Sequence, residues 1–226
     1  MVLCGVLFIL RPQVERMNKF TIENPENWSR KSTYEFFNSF EVPFYNITAN
    51  VDVTRLKEFC NEKELPFLVT ALFLSQKTIQ QVPNFRYRFV ENEVRLYEKT
   101  QAGCTILLEN KSFAFCYFPP EETLTKFVSE GSKAIAHLKQ NPDFAPRDGD
   151  ANMIFYSVIP WISFTSFQHA RRFEKDDSIP RIVFGKYFNQ DNKLLMPVSI
   201  EVHHSFVDGL HVGQYFETFQ KEINNL

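Results

Sequence analysis

Stretches rich in β-forming residues recur from Phe44 to His204, and three or four helical stretches are interspersed with them or follow them. That order points to an α/β fold built on a largely mixed sheet. Between Phe44 and Val53, β-formers (Tyr45, Ile47, Val51, Val53) alternate with polar residues, the pattern of a half-buried strand. Thr54 is placed to cap a short helix through Cys60, and Pro66 to start another over residues 67–81. Residues 85–97 read as a hairpin turning at Glu91-Asn92-Glu93, followed by strands over 104–109 and 113–118. After Pro119-Pro120, residues 121–140 form an amphipathic helix with Leu124, Phe127, Val128, Ala134, Ile135 and Leu138 inward. Strands follow over 153–160, 181–188 and 194–204, with Gln190-Asp191-Asn192 turning between the last two. A closing helix from Asp208 to Asn224 should bury Leu210, Phe216, Phe219 and Ile223.

No linker or repeat divides the 226 residues, so residues 17–226 are read as one domain. Residues 1–16 stand apart. Val2 to Leu10 is apolar but too short to cross a bilayer, which takes about 20 residues. It also lacks the flanks of a signal peptide. The segment reads as an alternative start or a poorly ordered extension, with a weak membrane contact as the other reading. Net charge is −2, and the pI is near 6.2, which argues against a nucleic-acid partner. The four cysteines have no paired spacing for zinc or redox chemistry, so a reduced, cytoplasmic protein without a metal is expected. Phenylalanine is the unusual component, at 25 residues; most of these rings should be packing, though such cores also take apolar ligands.

The chemistry concentrates where the last strand ends, at His203-His204-Ser205-Phe206-Val207-Asp208-Gly209. Adjacent strand residues face opposite ways, so the two histidines cannot easily chelate one metal ion. One should face inward and the other a groove or interface. On spacing alone, Asp208 is an N-cap for the closing helix.

This run, continued by Leu210-His211-Val212-Gly213, resembles the His-His-x-x-x-Asp-Gly signature of chloramphenicol acetyltransferases. The same signature occurs in acyltransferase cores of 2-oxo acid dehydrogenase complexes and in peptide-synthetase condensation domains. Asn27-Trp28-Ser29-Arg30, Tyr45-Asn46, Ser157-Val158-Ile159-Pro160-Trp161, Ser163 to Phe167 and Gly185-Lys186-Tyr187 also resemble the chloramphenicol family in order and spacing. The likeness spans about residues 17 to 224. It implies a two-layer sandwich, a mixed sheet covered by helices, and transfer of an acetyl group from acetyl-CoA to a hydroxyl, the chemistry of antibiotic resistance.

Carried over residue by residue, the resemblance makes His204 the general base and Ser157 the hydroxyl that stabilises the oxyanion. Asp208 and Arg30 become an ion pair that supports the site. Lys63, Lys186 and Tyr187 would contact coenzyme A. Phe37, Tyr45, Leu107, Phe167, His169, Arg171 and Val183 would line the acceptor pocket. A homotrimer is implied, with sites at subunit interfaces. Read without the resemblance, Ser157 is an ordinary strand serine and Arg30 and Lys63 are solvated charges.

The acceptor pocket departs most from the family. Where the family has an apolar stretch, this chain has Gln168-His169-Ala170-Arg171-Arg172; Val183 replaces a threonine, Leu107 a phenylalanine and Pro43 a cysteine. An arginine facing a pocket disfavours an apolar drug unless its charge is paired or reaches water. Either Arg171 and Arg172 point to solvent and chloramphenicol is the acceptor, or a more polar hydroxyl compound is, a reading the substitutions favour slightly. A thiol-acylating enzyme of the dihydrolipoamide type and a non-catalytic protein of the same fold are the rivals.

Overall fold

A computed structural model describes residues 19–144, 146–147, 150–171 and 177–226. The expected extension over residues 1–16 lies outside them. Ten strands and five α-helices follow in order: β1 (Phe20–Glu23), α1 (Lys31–Asn38), β2 (Phe44–Asp52), α2 (Thr54–Glu62), α3 (Phe67–Gln81), β3 (Tyr87–Val90), β4 (Glu93–Tyr97), β5 (Gln101–Leu107), β6 (Phe113–Phe118), α4 (Leu124–Gln140), β7 (Met153–Ile159), β8 (Arg181–Gly185), β9 (Phe188–Gln190), β10 (Lys193–His203) and α5 (Gly209–Asn224). The main sheet has the order β2-β10-β8-β7-β5-β6, with β9 paired to β10; a small sheet of order β1-β4-β3 stands beside it. β7 runs parallel to β5 and β8, and the other pairs are antiparallel, so the sheet is mixed, as the alternation of elements predicts.

Side chains alternate across each strand, and the two faces of the main sheet differ in character. Ile154, Tyr156, Ile182, Phe184, Val198, Ile200 and Val202 pack with Leu72, Phe127, Tyr215 and Phe219 of α3, α4 and α5 in one core. The second face carries Asn46, Thr48, Ser157, Arg181, Val183, Ser199, Glu201 and His203. Residues 161–171 lie over part of it: Ser199 donates to the Phe167 carbonyl (3.5 Å) and Glu201 accepts from the His169 backbone (3.3 Å).

The hairpin turns expected at Glu91-Asn92-Glu93 and Gln190-Asp191-Asn192 form, with positive φ at Glu91 and Asn92 (53° and 66°) and at Asp191 and Asn192 (50° and 61°). This is the twist that suits a tight hairpin. At Gly131 of α4 an added Cβ would come within 2.9 Å of Phe118 and Val69, so the helix lies on β6 and α3 at a distance only glycine allows.

Three expectations change. Thr54 opens α2 but does not cap it: Asp52 accepts its backbone N–H (3.1 Å) and hydroxyl (2.6 Å). The strand expected over 181–188 breaks at Lys186-Tyr187, where the Lys186 N–H turns to the Ile162 carbonyl (3.0 Å). Leu210 is 69% exposed, because the buried stripe of α5 is Val212, Tyr215, Phe219, Glu222 and Ile223. Two residues before Val212, Leu210 lies about 200° around the helix from that stripe.

Arg88 is wholly buried and donates to four carbonyls, those of Phe85, Tyr87, Ala151 and Met153, at 2.6–2.8 Å. Burial pulls its guanidinium down to about 9. It ties β3 of the small sheet to β7 of the large one. No helix among the described residues is long and apolar enough to cross a membrane.

Candidate active site

β10 ends at His203, and its two-residue alternation sets the two histidines apart. His203 turns onto the second face and is buried, its Nδ1 accepting the Ser205 N–H (3.2 Å). Burial first, then the Arg171 charge, lowers its pKa to about 4, so it is neutral at ordinary pH. His204 lies one residue past the strand, its N–H donating to the Pro43 carbonyl at 2.7 Å. Of the two histidines, one is buried and the other keeps part of its ring exposed.

The turn from His204 to Asp208 is fastened at three successive carbonyls. Arg30 Nη2 donates to Ser205 O (3.3 Å), Asn84 Nδ2 to Phe206 O (2.8 Å), and the Tyr45 hydroxyl to Val207 O (3.2 Å). The His204 ring stacks on Phe37, centroids 3.7 Å apart and planes within 7°, with Tyr45 at 4.4 Å. Its Nδ1 is buried and lies 3.4 Å from Asp208 Oδ1, too far for a well-formed hydrogen bond. The side chain as a whole is 31% accessible, so solvent reaches the ring at atoms other than the buried Nδ1.

Asp208 joins two contacts. It is the N-cap of α5, and it receives both terminal nitrogens of Arg30, Nη1 at 2.6 Å and Nη2 at 3.0 Å. Arg30 is itself the N-cap of α1 and only 14% exposed, so one bidentate pair joins two helix starts beside the histidine. The hydrogen bond from Arg30 holds the Asp208 carboxyl below the usual carboxylate range, against a smaller opposing effect of burial.

Ser157 is elsewhere. It sits on β7 in register with Val183 of β8, which is in register with Ser199 of β10. It is half-buried. His204 lies five residues beyond Ser199 along β10. With about 4.8 Å between strands and 3.3 Å per residue, the two Cα positions are about 19 Å apart in one chain. That is well beyond what the two side chains bridge.

Four of the other site residues fall into the same two groups. Phe37 and Tyr45 stand with His204. Leu107, half exposed at the end of β5, and buried Val183 stand with Ser157. Phe167 packs on Phe164 and His169 (5.7 and 4.9 Å). Lys63 is an exposed residue at the end of α2; Lys186 and Tyr187 are exposed at the β8–β9 break, the Tyr187 ring 5.6 Å from Phe67 with Lys57 Nζ 6.0 Å above it.

Arg171 faces neither open solvent nor an empty pocket. Its Nε donates to Glu201, its Nη1 to Asp177 (2.7 Å), and the guanidinium lies 3.5 Å from the Phe44 ring centroid. Arg181 donates to the same Asp177 (2.9 Å). Two arginines and two carboxylates cancel, so the charge that disfavoured an apolar acceptor is compensated. His169 is half-buried beside Glu201, and its partial burial lowers its pKa despite the carboxylate. Arg172 lies outside the described residues.

Sequence reasoning missed Asn84, Lys57, and the Asp177, Arg181 and Glu201 of this cluster. Strand register alone could have found Glu201, two residues before His203 on the same face. Asn84 and Asp177 lie on connections, and no periodicity places them.

The sequence model described as chloramphenicol acetyltransferase matches residues 17–220. A chloramphenicol acetyltransferase of Bacillus pumilus is 30% identical over 194 residues, 85% of this chain and 88% of that one. A solved structure of a chloramphenicol acetyltransferase superposes with a TM-score of 0.86 at 25% identity, covering 91% of this chain and 100% of the other. The cubic core of the pyruvate dehydrogenase multienzyme complex superposes with a TM-score of 0.62 at 14% identity, covering 85% and 86% of the two chains, a likeness of fold alone.

Proposed function

The chain belongs to the chloramphenicol acetyltransferase family, and from that premise we propose that it moves the acetyl group of acetyl-CoA onto a hydroxyl of chloramphenicol. His204 Nε2 takes the hydroxyl proton as the oxygen attacks the thioester carbonyl. Ser157 donates to the oxyanion of the tetrahedral intermediate. As the C–S bond breaks, the imidazolium returns its proton to the departing sulfur, and coenzyme A leaves as the thiol.

The observation that carries this reading is the strand register, which sets His204 and Ser157 two strands and five residues apart within one chain, about 19 Å by ordinary strand spacings. Two groups that must meet over one reacting carbon then come from two copies, His204 from one and Ser157 with Leu107 and Val183 from the next. A closed ring of such head-to-tail contacts completes one site per interface, and the family resemblance supports a homotrimer as that ring. The exposed Phe36, Phe40 and Val42 beside His204 supply apolar surface for that contact. Lys63, Lys186 and Tyr187 would hold the nucleotide end of coenzyme A, the lysines against phosphate and the ring against adenine. The resident chemistry uses no metal.

Compensation of Arg171 by Glu201 and Asp177 favours chloramphenicol over a more polar acceptor. A thiol-release assay with acetyl-CoA and a panel of hydroxyl compounds tests this. Chloramphenicol should release CoA with a micromolar KM, and the His204→Ala protein should not. Release only with more polar acceptors would move the substrate; none with any acceptor would leave a non-catalytic protein of this fold.

A further inference from the structure

The third residue of α5 is His211, and its Nδ1 accepts the backbone N–H of Asp208 at 2.9 Å. A side chain reaching back from that position to the N-cap backbone closes one half of a capping box, usually made by glutamate or glutamine. Here the acceptor is an imidazole only 15% exposed, so Nδ1 must be bare and the ring neutral. The same Nδ1 lies 3.8 Å from Asp208 Oδ2, on the side of the carboxylate that Arg30 Nη1 occupies, while Oδ1 faces His204.

We propose that His211 is a positioning residue for His204, holding the Asp208 backbone, and through it the Arg30 pair and the catalytic turn, only while it is unprotonated. This rests on His204 being the base. The charged and titratable groups facing His211 are Arg30 from α1 and Asp208 from the turn, with His204 across the same carboxylate. Protonation would set an N–H donor against the Asp208 N–H and bring a second cation to the oxygen that Arg30 holds. Burial, and then Arg30, lower the His211 pKa, in keeping with a ring kept neutral.

The test compares the full-length protein with His211→Gln and His211→Leu, measuring kcat/KM between pH 5 and 8 beside thermal melts. Glutamine keeps an acceptor at this position and removes the titration; leucine removes both. The leucine variant should lose about tenfold in kcat with the KM for acetyl-CoA little changed, the size of a lost helix cap expressed as a rate. Glutamine should restore activity at neutral pH. The acid limb should fall with two protons in the parent and one in the glutamine variant. A folded leucine variant with parental kcat, or a two-proton limb in the glutamine variant, would overturn the proposal. If leucine prevents folding, the glutamine limb alone decides. A parent without His204-dependent turnover would overturn the base assignment and this proposal together, whereas parental activity with unaltered His211 variants would overturn this one only.

Discussion

The His204→Ala protein should turn over about 10²- to 10⁴-fold more slowly, the usual contribution of a positioned base. It should melt near the parent. The turn that carries His204 is held by Arg30, Asn84 and Tyr45 through backbone carbonyls, none of which the substitution removes. What is lost is an exposed imidazole edge and one face of a stack on Phe37. Ser157→Ala should be milder, on the order of 10²-fold, because water can replace part of one donor to an oxyanion. Steady-state kinetics beside a melting curve check both. Parental turnover in the His204→Ala protein would remove the residue from the chemistry. A large loss of stability in either variant would mean the two side chains serve the fold.

Breaking the Arg30–Asp208 pair should cost stability and activity together. Each partner leaves the other as an uncompensated charge at a helix start. A fully buried pair loses about 3–5 kcal/mol on such a cut. Asp208 is 34% exposed, and solvent screens it, so about 2 kcal/mol is expected. Arg30→Ala and Asp208→Asn should therefore resemble each other in denaturant midpoint and in turnover. The pair also sets a pH window. Arg30 depresses the Asp208 pKa in the folded state, so its contribution is present above the ordinary aspartate value near 4 and is lost as pH falls through the lower, folded value. The Asp208→Asn protein should lack that part of the acid destabilisation. Full stability with abolished activity would contradict the architectural role and give Asp208 a direct part in proton transfer.

Much of this site was legible in the sequence because short-range rules govern it. Period-two alternation placed His203 and His204 on different sides, and N-cap chemistry placed Asp208 at the head of α5. The mixed sheet followed from the order of elements, and the hairpin turns from Glu91-Asn92-Glu93 and Gln190-Asp191-Asn192. The resemblance paired Arg30 with Asp208 across 178 residues, which no local pattern reaches. Leu210 was misplaced because an apolar residue in the first turn of a helix need not share the stripe that later turns bury. The charge of Arg171 was misjudged for a different reason. Its compensation comes from Glu201 on β10 and Asp177 on a connection, contacts that depend on how residues 161–171 fold back over the sheet. The distance between His204 and Ser157 needed the strand order β10-β8-β7, which is a property of the whole sheet.

That distance makes the shared site the central claim, and mixing the two inactive chains tests it most directly. His204→Ala and Ser157→Ala chains, co-expressed at equal levels with different tags, would assemble at random. An interface then carries an intact His204 and an intact Ser157 in about one case in four, so the mixture should show about a quarter of parental activity although each parent variant alone is nearly inactive. Activity no greater than the average of the two variants, in assemblies shown by their tags to be mixed, would place both residues in one chain's site and contradict the account.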